Sequence, residues 1–147
     1  MKQQKINEMT LSFLSRSSNE AFARAAAAAF VAQLDPTIEQ VYDIKTAVSE
    51  AVTNAIVHGY RDSIGPITMK LRLYQPAAVE IVIRDRGCGI SDIARAREPL
   101  FTTGGPERSG MGFTIMESFM DRLSVRSQPG RGVTVTLRKV LEPRKQA

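Results

Sequence analysis

The sequence predicts an α/β fold, a two-layer α/β sandwich with a mixed, largely antiparallel sheet. Three observations predict it. Segments with alternating apolar residues lie near the start, in the middle and near the end of the chain. Segments of helical period separate them, and the two middle strands are joined by a break short enough for a hairpin. At 147 residues the chain suits one domain, 1–147, because a chain of this size buries about two-thirds of its unfolded surface around a single core.

The elements follow in order. Met9, Leu11 and Phe13 alternate with Thr10 and Ser12, the pattern of a half-buried strand. Ser17 and Glu20 have the spacing of a capping box, opening a helix that runs through Phe22 and the alanine run to Leu34. Asp35-Pro36-Thr37 ends it, and Thr37 with Gln40 opens a second helix expected to reach His58 and stop at Gly59. Ile67 to Leu73 and Val79 to Ile83 read as strands around Gln75-Pro76-Ala77, and Asp85 closes the second of them. A short helix and a Gly, Pro and Thr-rich loop are expected over 91–109. A helix near Gly110 and strands over 123–127 and 133–140 complete the order.

Composition narrows the function classes. With 43% hydrophobic and 24% charged residues, the chain is that of an ordinary globular protein. The opening residues lack the apolar run of a signal peptide, and the longest apolar stretch, 25–32, is too short to span a bilayer, so a cytoplasmic protein without a membrane partner is expected. The single cysteine, Cys88, excludes an internal disulfide and agrees with a reducing compartment. The net charge of +5 is concentrated: residues 122–147 hold seven Lys or Arg and one Glu. A basic end of this kind fits a solvated tail or an acidic partner better than a direct reader of nucleic acid.

Three stretches carry chemistry. Glu50, Asn54 and His58 are spaced four apart, so a continuous helix puts them on one face. The same helix carries Ile44, Ala47, Val48, Ala51, Val52 and Ile56, enough apolar surface to bury it. Polar groups at its edge then need a partner, and Mg²⁺ with its phosphates is one; a solvated polar face is the plain alternative. Asp85-x-Gly87-x-Gly89 follows a strand and lacks both the Lys-Ser/Thr of a phosphate loop and a complete Gly-x-Gly-x-x-Gly. Its glycines permit close approach of a flat ring and its carboxylate can accept from an exocyclic amine, although a simple turn uses the same residues. Arg108-Ser109-Gly110-Met111-Gly112 sets glycines and a cation at a helix start, where free amides and the dipole favour phosphate.

In this order and spacing the three stretches resemble the N, G1 and G2 boxes of the Bergerat-fold ATPases and kinases of the GHKL superfamily, a resemblance spanning nearly the whole chain with a lid at about 98–109. The longer strings 49–60, 99–103 and 108–116 resemble the anti-sigma serine kinases of endospore-forming bacteria. The resemblance implies ATP and Mg as cofactors, Glu50 as general base toward a serine hydroxyl, and Asn54 as the Mg²⁺ ligand. It implies Asp85 as the adenine acceptor, Gly87 and Gly89 shaping the adenine pocket, and Ser109, Gly110, Met111 and Gly112 with Thr103 along the nucleotide. Arg108 would neutralise γ-phosphate charge, and Thr134 would line the base side of the pocket.

The implied partners are the sigma F factor, held inactive by a homodimer of the kinase, and an anti-anti-sigma factor phosphorylated on serine. Arg24 would lie on the surface that both partners share, and the first strand, if at an edge, suits dimerisation by sheet pairing. Relative to the family pattern the lid residues 104–107 are few and weakly charged, and Val133 stands where a second threonine is common. The related general-stress sigma system, a nucleotide-gated sigma binder without phosphotransfer, and a generic ATPase remain open at this stage.

Overall fold

A five-stranded antiparallel sheet covered on one face by three helices forms the structure, a computed structural model that describes residues 3–89 and 112–142. The elements are β1 (Gln4–Leu14), α1 (Ser18–Val31), a 3₁₀ turn (Ala32–Leu34), α2 (Ile38–Asn54), a π-type turn (Ala55–Gly59), β2 (Pro66–Gln75), β3 (Ala78–Asp85), α3 (Gly112–Phe119), β4 (Arg122–Gln128) and β5 (Gly132–Val140). Strand order is β1-β2-β3-β5-β4, every pair antiparallel, so the expected two-layer sandwich is present and β1 and β4 are the edges. The expected short helix and loop over 91–109 lie outside the described residues.

The period-two pattern builds the core. Ile67, Met69, Leu71 and Leu73 of β2 and Val79, Ile81 and Ile83 of β3 point to the helix layer and are almost wholly buried. Against them α2 turns Ile44, Ala47, Val48, Ala51 and Val52, while α1 contributes Ala23, Ala27 and Val31, whose small size lets the two helices approach closely. Among the described residues the opposite sheet face carries no helix and is built from the alternate, mostly polar residues. On it Glu8, Arg72, Glu80 and Arg138 stand in register across four strands, with Arg72 bridging Glu8 and Glu80 at 2.8 Å each.

Two boundaries differ from expectation. Ser17 is helical (φ −57°, ψ −32°) and its side chain makes no cap, so Ser17 and Glu20 form no capping box. The turn is closed instead by Asn19, whose Nδ2 donates to the Leu14 carbonyl, and the Glu20 carboxylate lies 3.6 Å from the Arg24 guanidinium. Thr37 and Gln40 do form the reciprocal box, Gln40 N donating to Thr37 Oγ1 at 3.1 Å and Thr37 N to Gln40 Oε1 at 2.9 Å. At the other end α2 is regular only to Asn54. Over 55–59 it widens, and Tyr60 N donates to Ala55 O five residues back. That widened turn breaks the single face expected for Glu50, Asn54 and His58, because the four-residue spacing aligns side chains only at 3.6 residues per turn.

Candidate active site

Glu50 and Asn54 lie one turn apart on α2, a helix fixed by its N-terminal box and by the apolar face packed on the sheet. Their side chains converge on the first residue of α3. A methyl group on Gly112 would sit 3.1 Å from Asn54 Nδ2, 3.2 Å from Asn54 Oδ1 and 3.3 Å from Glu50 Oε2. A carboxylate, an amide and the amino end of a helix therefore meet at one point, where unpaired backbone N–H groups favour an anion. Glycine at 112 is what permits the approach.

Asp85 forms the second centre. It ends β3 and is 4% exposed. The Gly87 amide donates to Oδ1 at 2.9 Å, and the Val133 amide also bonds the carboxylate. Burial raises its pKa above the usual aspartate value, and the two amides offset only part of that rise. Around it the backbone is packed too closely for side chains: a Cβ at Gly59 would lie 3.0 Å from the Asp85 Cγ, one at Gly87 would lie 2.1 Å from Gly59 O, and one at Gly132 (φ 109°) 2.1 Å from Asp85 O. Gly89 (φ 76°) backs onto the Gln128 carbonyl, and Gly130 N donates to Cys88 O at 2.7 Å. The glycines of the second motif thus seat the turn after β3 between the end of α2 and the β4–β5 turn.

Some of these supports went unread in the sequence. Gly59 looked like a helix stop, yet its bare Cα forms the floor beneath Asp85. Tyr60 is buried, donating its hydroxyl to Pro66 O at 2.6 Å and accepting from Arg86 N at 2.7 Å, which fixes the chain just after Asp85. Desolvation raises its phenol pKa. The available signal was Tyr60 directly after a helix-ending glycine, a position where an aromatic can cover the widened turn.

Thr134 requires correction. It pairs with Arg84 of β3 and Arg126 of β4, and paired residues in an antiparallel sheet project to the same side. Arg84 is exposed whereas its neighbour Asp85 is buried, so the Thr134 side chain leaves the open face, opposite to the helices and to the Asp85 carboxylate. Val133 occupies the helix-facing position instead. Arg24 lies on α1 with Glu20 as its ion partner. Thr103, Arg108, Ser109, Gly110 and Met111 lie outside the described residues.

No cluster of three or more His, Cys, Asp or Glu among the described residues forms a closed metal cage. The Asn54 amide oxygen, approaching the same point as the Glu50 carboxylate, nevertheless suits Mg²⁺, a hard ion that takes one or two protein ligands and completes its shell with water and phosphate. A cavity of about 550 Å³ opens beside Gly59, Gly87 and Gly89, with Tyr60, Arg61, Ser63, Arg86, Cys88 and Pro129 in its wall. Glu50 and Asn54 are not part of that wall, so the functional reading rests on the side-chain constellation and not on this cavity. Among the described residues no helix is long and apolar enough to cross a membrane.

The fold is that of the histidine kinase-like ATPase class, and the helix bearing Glu and Asn against the start of another helix, with a buried Asp beyond a glycine turn, is its candidate nucleotide site. The model of that family, described as the histidine kinase-like ATPase domain, matches residues 13–139. An anti-sigma F factor of Thermoanaerobacter sp. (strain X514) is 56% identical over 136 residues, 92% of this chain and 94% of that protein. The anti-sigma F factor of Geobacillus kaustophilus (strain HTA426) is 55% identical over 134 residues, 90% of this chain and 92% of its own. The chain belongs to the anti-sigma F factor family within the histidine kinase-like ATPase domains. Among solved structures, that of the RsbU and RsbW domains of Rv1364c from Mycobacterium tuberculosis matches with a TM-score of 0.70 at 20% identity, covering 97% of this chain and 35% of that one. The histidine kinase domain of the blue-light activated kinase EL346 from Erythrobacter litoralis matches at 0.56 and 20% identity over 83% of this chain and 60% of its own. Both show the fold alone.

Proposed function

We propose that this protein binds and inhibits a sporulation sigma factor of the sigma F type and, as an ATP-dependent serine kinase, phosphorylates the anti-anti-sigma factor that opposes it. The observation that carries the catalytic half is the convergence of Glu50 and Asn54 on Gly112. Glu50 accepts the proton of the partner's serine hydroxyl as its oxygen bonds to the γ-phosphorus, the bond to the β–γ bridging oxygen breaks, and ADP leaves. Asn54 holds Mg²⁺, which neutralises phosphate charge when bound. The amides at the start of α3 hold phosphate oxygens, and Asp85 accepts from the adenine amino group beside Gly87 and Gly89. Within this reading Arg108 supplies a cation to the γ-phosphate, Thr103, Ser109, Gly110 and Met111 contact the nucleotide, and Arg24 belongs to the partner surface.

The sigma half rests on the names of the relatives, which are anti-sigma F factors over nearly the full chain. Incubation with γ-labelled ATP and an anti-anti-sigma protein tests the kinase: label is expected on a partner serine. Glu50→Ala is expected to abolish transfer while ATP binding persists, and Asn54→Ala to weaken Mg²⁺-dependent ATP binding as well. Equal transfer by wild type and Glu50→Ala refutes the base assignment. Binding of ATP and partner without any transfer supports a second reading, a nucleotide-gated sigma binder.

A further inference from the structure

Among the described residues the helix-free face of the sheet carries seven Lys or Arg side chains and two Glu, spread over the five strands. The charges are not evenly matched. Both glutamates are taken up, Glu8 by Lys5 and Arg72 and Glu80 by Arg72 and Arg138, Arg138 lying 3.8 Å from Glu80. Among the described residues Lys70, Arg84, Arg122 and Arg126 form no ion pair. Arg122 stands directly opposite Arg138, a like-charge pair that costs stability in a sheet. Arg84 and Arg126 flank Thr134 in one row across three strands, with the Thr68 hydroxyl next in the same row.

Edge protection against sheet extension accounts for arginines on β4, which is an edge strand. It does not account for Lys70 on β2 or Arg84 on β3, which are interior strands. A cationic surplus on a flat face, interleaved with hydroxyls, is complementary to carboxylates, which guanidinium groups grip through paired hydrogen bonds. Nucleic acid fits less well. Tyr74, the aromatic ring that the described residues place on this face, is already covered by Arg138 at 5.5 Å, which leaves none of them free there for base stacking. A second copy of the same face would be repelled by its own charge.

The geometry points to the open sheet face, centred on Arg84, Thr134 and Arg126, as a docking surface for an acidic segment of a partner protein. This surface lies on the far side of the sheet from Glu50, Asn54 and the Asp85 carboxylate, so it is separate from nucleotide chemistry.

The test uses the full chain and a fluorescent poly-glutamate peptide, followed by anisotropy at about 50 mM salt, where exposed charges act over more than 10 Å. The double variant Arg84→Ala/Arg126→Ala is expected to weaken binding by about tenfold, since two charge-assisted contacts are lost. Arg16→Ala/Lys45→Ala removes the same charge from elsewhere and is expected to change binding by less than about twofold. An unchanged thermal transition in both variants shows that the fold is intact. Equal weakening by the two variants, absence of peptide binding by the wild type, or tighter binding of a single-stranded oligonucleotide with the same dependence on Arg84 and Arg126 overturns the assignment.

Discussion

Asp85 is the residue whose environment most departs from that of a free side chain. Burial raises its pKa, so it takes up a proton at a higher pH than an ordinary aspartate. The sign for stability follows. The folded state binds that proton more tightly than the unfolded chain, so the ionised carboxylate is a stability cost at neutral pH, relieved as pH falls through the raised value. For ligand binding the direction is reversed, because only the carboxylate accepts from an amine through both oxygens. Binding of adenosine, which has no phosphate to titrate, should weaken as pH falls through the raised value, and Asp85→Asn should bind weakly at every pH. A wild-type pH profile as flat as that of the variant argues against the adenine role.

Gly112 makes a different kind of prediction. The nearest atoms to a Cβ added there are the ends of the Asn54 and Glu50 side chains, at 3.1–3.3 Å, so Gly112→Ala displaces those groups by a few tenths of an ångström rather than meeting backbone first. The melting temperature should move by a few degrees at most, while phosphotransfer falls by about tenfold or more, as expected when catalytic groups are moved off their geometry. A large loss of stability with normal turnover per folded molecule would show that the glycine serves the fold instead. Gly87 offers the contrast, because its hypothetical Cβ meets the Gly59 carbonyl backbone and nothing nearby can yield.

At the scale of the element, α2 is decided at its two ends. Its start is local: Thr37 and Gln40 satisfy two backbone donors reciprocally, an arrangement legible from four residues of sequence. Thr37→Ala should cost about 1 kcal/mol, measured by chemical denaturation, and should leave the position of Glu50 and Asn54 unaltered. Ser17 and Glu20 have the same letters at the same spacing and form no box, because Glu20 faces Arg24 and Asn19 closes the turn. The far end of α2 is tertiary. Its widened turn brings Gly59 against Asp85, His58 O against the Cys88 thiol, and Gly59 O against the Cys88 amide at 3.0 Å. No local pattern announces a turn made for contacts about thirty residues away.

At the scale of the whole molecule, the sheet separates two kinds of surface. One face holds the helix layer and the candidate nucleotide site, and the other holds the ion ladder from Glu8 to Arg138 and the unmatched cations beyond it. In that ladder Arg72 lowers the pKa of Glu8, which gives the opposite sign to Asp85: this support is present above the usual glutamate range and is lost as pH falls through the lowered value. The free edge of β1, an eleven-residue strand, suits extension of the sheet by a second chain. Sedimentation at tens of micromolar is expected to show a dimer, and a monomer at that concentration would remove sheet pairing through β1 from consideration.

Much of this was written in local spacing. Alternation in β2 and β3, the alanines of α1 and the apolar face of α2 specify a two-layer sandwich because each element must bury one face. The order of Glu50, Asn54, Asp85, Gly87 and Gly89 carries the resemblance to a nucleotide-binding family because each motif is short and continuous. What only the tertiary structure decided are relations between segments remote in sequence. They include the meeting of Gly112 with Asn54 and Glu50, the floor that Gly59 makes beneath Asp85, and the face from which Thr134 projects. A one-residue change of register reverses the side of a strand, and that register is set by pairing with β3 and β4, not by the residues of β5 themselves.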